Sequence, residues 1–376
     1  MLRREVAPPG PIANEPSAEA GVTPTPGAVD GGPVSTTTDA GVDARGAPTT
    51  VPIFIAQGKL GRTTISCDDG KTWVADRSEN ETARCWDTNA AENIECDHNS
   101  WSSVGMVAAD GKFLATYGWG YAGVVRRTED GVFWEDVLPG HTFAGLAYGN
   151  GRVIANDHTP QISMAAGAAG SWNAGAAIES TQWTVRRIAF APDGGGRFII
   201  SLDGSVQLSD DNGASWREAT TRPDDCAKAV IDIVHGNGVT VMVQNDGSVC
   251  RSTDRGDTWT HVPVTTSFTS SVIFGGGAFM VWQGSTRYSS TDGLTWTNMA
   301  GTAGVNIGTV TRSENGTFVA VNDGWQQWYE KQHFFRSTDG VTWEVLPATA
   351  FKAGHPITHM IAGRAKPSTE CPLPSL

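Results

Sequence analysis

Half of the 14 tryptophans recur at one place in a repeated turn; the others do not, and chemistry is to be sought around them. Trp101, Trp119, Trp183, Trp282, Trp325 and Trp328, with Tyr117, Tyr121 and Tyr329, fall among Asp203, Asn245, Asp246, Gln283, Asn322 and Asp323. Flat rings stack on the C–H faces of a sugar while nearby amides and carboxylates bind its hydroxyls, so this set suits a carbohydrate. The same rings would serve equally well as plugs of a central channel or as contacts between repeats. The run WQQWYE (325–330) is the strongest candidate for exposed rings, because it lengthens one loop, and long loops on a rigid scaffold tend to carry function. His141, His158 and Tyr117 are the acid–base candidates for a polysaccharide lyase. Hydrolysis would instead need two facing carboxylates from among Asp157, Asp203, Asp246 and Asp323, and no motif marks such a pair. His98, His355 and His359 complete the histidines of that region, but their spacing matches no ligand signature. No metal and no cofactor is expected.

The elements that position these residues are repeats. Aligned on a Gly followed three residues later by Trp, the chain reads SCDDGKTW (66–73), RTEDGVFW (127–134), SDDNGASW (209–216), STDRGDTW (252–259), SSTDGLTW (289–296) and RSTDGVTW (336–343). A worn copy, SMAAGAAGSW, occupies 163–172. The structural positions are Asp68, Gly70, Trp73; Gly131, Trp134; Asp211, Gly213, Trp216; Asp254, Gly256, Trp259; Gly293, Trp296; Gly340, Trp343, with Trp172 in the worn copy. Ser and Asp side chains accept turn amides, Gly takes a conformation closed to other residues, and Trp packs over the turn. Such a turn reads either as a calcium or ligand site or as a stabiliser of the fold, and the second is expected. Five of the six Trp-to-Trp gaps run from 37 to 47 residues, the length of a four-stranded propeller blade, and the 61-residue gap holds an insertion at about 76–98.

These copies resemble the Asp box, the S-x-D-x-G-x-x-W turn of the BNR or sialidase-like propellers, across residues 51–365. The resemblance implies an all-β propeller of four-stranded antiparallel blades. Pairs of apolar runs such as 143–157, 229–246 and 270–284 read as strands A and B, with strand C leading into each box and strand D following its Trp. Residues 357–364 read as a strand A without partners, and 53–75 as strands B to D without an A. The C-terminal strand is therefore expected to complete the first blade, closing a ring of seven. In this topology the boxes lie at one end of the ring, and the D–A and B–C loops at the other, the end that carries the active site in sialidase-like enzymes. The loose aromatics map to that loop end. A true sialidase is not expected, because that family has six blades and an Arg-Ile-Pro where this chain has Val51, Pro52 and Ile53. Arg186, Arg187 and Arg222 do not align with the family's carboxylate-binding arginines.

Six cysteines permit 15 pairings, and the blade topology selects one. Cys67 starts the first box at the end where the tail after 364 emerges, so Cys67–Cys371 would lock the ring. Cys85 pairs with Cys96 in the insertion, and Cys226 with Cys250 near the loop end of one blade. Closing a loop of about 300 residues stabilises by at least about 4–5 kcal/mol in the chain-entropy picture. Bridges imply an oxidising compartment.

Composition bounds the rest. The net charge is −13, of which residues 1–50 carry −3, so the repeats carry −10 and would repel a phosphate backbone. Nucleic acid is excluded as a partner, and no apolar run approaches a membrane span. Residues 1–50 are rich in Pro, Gly, Thr and Ala and are expected to form a disordered linker of the kind that holds a domain off a bacterial surface. The chain is thus expected to be a secreted, periplasmic or cell-surface monomer. Its function is read as a binding module for a glycan. The alternatives are a carbohydrate-active enzyme on the same face and a scaffold for an envelope or extracellular protein.

Overall fold

The computed structural model describes residues 49–373 except for 59–61, 78–83, 88–91, 96–102, 118–122, 142, 179–186, 203, 323–332 and 348–356. The expected linker at 1–50 lies almost wholly outside the described residues.

Seven four-stranded antiparallel sheets form a ring, and the strands fall where apolar runs are bounded by Gly turns. In the first blade, strand A is Ile357–Ala365, B is Val51–Gly58, C is Thr63–Ser66 and D is Val74–Arg77. The C-terminal strand pairs with the N-terminal one from Val51 opposite Ala365 to Gly58 opposite Ile357. This pairing is the expected ring closure. Blade 2 runs from Ser103–Ala109 to Glu135–His141, and blade 3 from Phe143–Gly149 to Trp172–Ala174. Blades 4 to 7 begin at strands Arg187–Ala191, Val230–Gly236, Ile273–Gly275 and Ile307–Arg312. Successive A strands touch all the way round the ring, and the A strand of blade 7 meets that of blade 1. The insertion contributes a separate hairpin, Arg84–Asp87 paired with Glu92–Glu95.

The cores lie between blades rather than within them. One joins Ile199, Val206 and Leu208 of blade 4 to Ile233, Met242 and Trp259 of blade 5; another joins Val241, Val243 and Val249 of blade 5 to Phe279 and Val281 of blade 6. A single antiparallel sheet has two faces to bury, and each blade covers its neighbour's. The A strands of blades 1, 2, 3, 5 and 7 each slip register near their pairing with strand B's last residues, so five blades carry a bulge at the loop end. A bulge frees a carbonyl from the ladder.

Two cysteine pairs lie where expected. Cys67 and Cys371 form a disulfide with Cα atoms 5.6 Å apart, and Cys226 and Cys250 form one at 5.8 Å. Cys96 and the Cys85 side chain lie outside the described residues.

Candidate functional site

The C–D turns are built by their own side chains. In the first, Ser66 Oγ donates to Asp68 Oδ1 at 2.9 Å and accepts Gly70 N at 3.0 Å, while Asp68 Oδ1 accepts Thr72 N at 2.9 Å. In the sixth, Gly293 N donates to Ser290 Oγ at 2.8 Å, and Thr295 N donates to Asp292 Oδ1 at the same distance. Counted from the opening Ser or Thr to the Trp, the turns at 66–73, 209–216 and 252–259 are one residue longer than those at 128–134, 290–296 and 337–343, and the extra residue (Asp69, Asn212 or Arg255) takes a left-handed φ of 58 to 62°. The carboxyls of Asp68, Asp211, Asp254 and Asp339 are held below their ordinary value: partial burial opposes this, and the converging amides and hydroxyls outweigh it. For Asp292 the amides of Thr295 and Leu294 dominate. A carboxylate whose lone pairs are filled this way has little left to offer calcium. The worn turn at 163–172 has no Asp of its own; Ala168 N donates instead to Asp110 Oδ2 of blade 2 at 2.9 Å.

Each turn also receives a donor from the blade before it, which sequence reasoning missed. Arg127 donates to Ala168 O at 2.9 Å, Arg197 to Asp254 O at 3.2 Å, Arg251 to Asp292 O at 2.5 Å, and Arg336 to Asp69 O at 2.8 Å. Arg287 donates to Asp339 O. The remaining two seams use Lys366 N on Glu129 O at 2.7 Å and the Asn150 amide on Asn212 Oδ1 at 3.1 Å. Thus all seven seams are stitched at the turn end. A signal for this was available in the sequence, since Arg127, Arg251 and Arg336 each immediately precede the Ser or Thr that opens a turn. The turn glycines complete the seams: a Cβ on Gly70 would lie 2.6 Å from Val319 of blade 7, and one on Gly213 would lie 2.6 Å from Ile154 of blade 3.

At the loop end the predicted residues separate. Trp282 is a correction: it is fully buried within strand Ala278–Gln283, and its Nε1 donates to Gly340 O in blade 7 at 2.9 Å. Strands B and C of blade 6 pair as far as Gln283 and Thr286, leaving only a tight turn where a loop was expected. Tyr117 is a second correction, a fully buried ring at the end of strand Lys112–Tyr117 with the Arg126 guanidinium carbon 5.2 Å from its centroid. Asp157 and His158 are buried, and Asp157 accepts Thr159 N at 2.9 Å as part of its own turn. Asp246 accepts Ser248 N at 3.0 Å and Lys228 Nζ at 2.5 Å; although burial opposes it, these bonds hold its carboxyl at about 2. Arg222 is spent on the carbonyls of Cys226, Leu202 and Ser205. Trp101, Trp119, Tyr121, Trp183, Asp203, Asp323, Trp325, Trp328, Tyr329 and the His141 side chain lie outside the described residues.

A second set of stitches lies near the bulged A strands. Arg187 Nε donates to the bulged Ile231 O at 2.6 Å, Thr269 Oγ1 to Ile307 O at 2.8 Å, and Thr309 Oγ1 to Thr358 O at 2.9 Å. Asp232 follows that bulge, and burial pushes its carboxyl up to about 6, against the pull of Arg187. Among the described residues no three His, Cys, Asp or Glu side chains stand together as a metal would require, and no helix is long and apolar enough to cross a membrane.

The sequence matches no protein-family model and no curated protein. Solved structures share the architecture. A virginiamycin B lyase from Staphylococcus aureus, a catalytically inactive form with quinupristin, superposes with a TM-score of 0.52 at 13% identity, over 66% of this chain and 84% of its own. YCF48 from Cyanidioschyzon merolae gives 0.51 at 14%, over 67% and 86%. A protein from Lactobacillus plantarum gives 0.54 at 11%, over 83% and 99%. At these identities the likeness establishes the β-propeller fold alone.

Proposed function

We propose that this chain is an exported Asp-box propeller that binds a glycan through the connections at its loop end, and that it acts as a monomeric binding module rather than as an enzyme. The observation that carries the reading is the division of labour between the two ends of the ring. At the turn end, side chains of the repeated motif are consumed by their own turns and by the seams. Six further aromatic residues fall in sequence between B and C strands or before an A strand. Trp119 and Tyr121 separate strand Lys112–Tyr117 from Gly123–Thr128; Trp325, Trp328 and Tyr329 separate Phe318–Asn322 from Phe334–Ser337; and Trp183 precedes Arg187–Ala191. Rings in such connections, with Asn322 and Asp323 adjacent in sequence, would suit sugar stacking.

Two observations favour binding over catalysis. Asp157 and Asp246, two of the four carboxylates considered for hydrolysis, are engaged in local turns. A general acid needs a raised value, whereas Asp246 is held at about 2. The two disulfides support export to an oxidising compartment. A glycan array run with the wild type beside Trp325→Ala and Trp328→Ala tests the reading. Binding by the wild type that both variants lose is the expected result. An array with no binding at all overturns it in favour of a protein scaffold, and turnover of a bound polysaccharide overturns it in favour of an enzyme.

A further inference from the structure

The chain contains four Asn-Gly pairs: Asn150-Gly151, Asn212-Gly213, Asn237-Gly238 and Asn315-Gly316. Asn before Gly is prone to lose its side-chain amide, because no Cβ shields the following backbone nitrogen from the Asn carbonyl carbon. Ring closure requires the Asn backbone to rotate and its amide to be free to leave. Three of the four pairs are held by a left-handed backbone and by a side-chain contact across a seam.

Asn150, Asn212 and Asn237 all sit in left-handed conformations, with φ of 48, 60 and 51°. The Asn150 amide donates to Gly195 O at 2.7 Å and to Asn212 Oδ1 at 3.1 Å, so one contact fixes two of the side chains across the seam between blades 3 and 4. Asn237 Nδ2 donates to Gly277 O at 2.9 Å and to Thr291 O at 3.3 Å across the seam between blades 5 and 6. Asn315 differs in every respect. Its φ lies outside the left-handed region, its side chain is exposed, and that side chain makes no hydrogen bond among the described residues. Its turn is closed by backbone bonds, Ser313 N to Thr317 O at 2.8 Å and Gly316 N to Ser313 O at 3.0 Å, and by Thr317 N donating to Ser313 Oγ at 3.2 Å.

We propose that Asn315 is a self-modification site of the native protein, converting to aspartyl and isoaspartyl products while the other three Asn-Gly pairs are protected by the fold. Gly316 N, released from Ser313 O, attacks Asn315 Cγ. A C–N bond forms, the Gly316 amide proton passes through solvent to the side-chain nitrogen, and that nitrogen leaves as ammonia. Water then opens the cyclic imide at either carbonyl, giving an ordinary aspartyl residue by one route or a β-linked residue by the other. The product places a carboxylate next to Glu314, whose partner is Arg364 at 2.6 Å, and near Asp69, which accepts Thr317 Oγ1 and Arg336 at 2.6 Å each. These contacts belong to the seam between blade 7 and the blade in which the ring closes, so the modification loads that seam with negative charge.

The test is peptide mapping of the full chain after incubation in mildly alkaline buffer at physiological temperature, with isoaspartate scored by enzymatic methylation. A parallel sample is kept in urea. In urea the four pairs convert at similar rates; in the folded protein Asn315 converts several-fold faster than the other three, and Asn315→Gln removes the signal. Conversion of Asn150, Asn212 or Asn237 as fast as Asn315 in the folded protein overturns the proposal, as does an Asn315 that converts in urea but stays intact when folded.

Discussion

At the scale of single residues, the side chains of greatest chemical interest are those whose protonation the fold has moved. His235 is buried at the turn end between Thr240 and Asp193, at 2.8 and 2.6 Å, and burial lowers its value despite the pull of Asp193, with Arg255 adding to the lowering. A group whose folded value lies below its unfolded one contributes stability that is present above about pH 6.5 and is lost as pH falls. Asp232 has the opposite sign. Its value is raised to about 6, so its contribution is present below about pH 4 and is lost as pH rises through 6. Between pH 7 and 5 the two oppose each other and the wild-type dependence is shallow. His235→Gln leaves Asp232 in control, so its melting temperature rises on acidification across that window. Asp232→Asn leaves His235 in control, so its melting temperature falls. Thermal melts at several pH values check this, and parallel slopes in the two variants would show that neither group carries the dependence. The carboxylates of the C–D turns titrate lower and add a common loss of stability only below about pH 4.

At the scale of elements, the blade seam is the unit of construction, and it explains why glycine recurs in the turns. Left-handed φ alone does not require it at every seam; close approach does. Gly293 has a φ of 69°, and a Cβ there would meet Val241 at 2.9 Å, whereas Gly111 has a φ of 71° with nothing within 4 Å. Both Ala variants carry a left-handed strain of about 1–2 kcal/mol, and Gly293→Ala carries about 1–3 kcal/mol more for overpacking. Denaturant unfolding of the two variants measures the difference directly; equal losses would mean that the seam relaxes freely. Much of this level was legible in the sequence. Apolar runs bounded by Asn-Gly and Gly-Gly gave strands A and B, and the orphan runs at the two ends gave the closure. Two things were not legible. The position of the arginines before the turns is legible but their partners are not, because an interblade bond leaves no spacing within its own repeat. Trp282 stands at the end of an apolar run, and where such a strand ends depends on how tight the next turn is; Gly284, at a φ of 58°, allows the ladder to continue to Gln283. The loop aromatics were nameable from composition, but no period or pairing fixes what they touch.

At the scale of the whole molecule, the question is what keeps a ring closed when its first and last strands are joined only by hydrogen bonds. Three devices act on the first blade: the pairing of Val51–Gly58 with Ile357–Ala365, the Lys366 amide on Glu129 O of blade 2, and the Cys67–Cys371 bridge. The first two exist only in the folded state, whereas the bridge also restrains the unfolded chain. Its 304-residue separation corresponds to about 5–6 kcal/mol of lost chain entropy, against about 3 kcal/mol for the 24-residue Cys226–Cys250 loop. Cys67→Ser with Cys371→Ser should therefore lower the unfolding free energy by more than Cys226→Ser with Cys250→Ser. It should also steepen the denaturant dependence, because the freed chain expands further and exposes more surface. Guanidinium titrations of both double variants under oxidising conditions make the comparison. If the short bridge proves the more stabilising, the restraint acts through native packing around the buried Cys226 and Cys250 and not through the length of chain it closes. Ring closure would then rest on strand pairing alone, and truncation before Ile357 would unfold the propeller whether or not its thiols are oxidised.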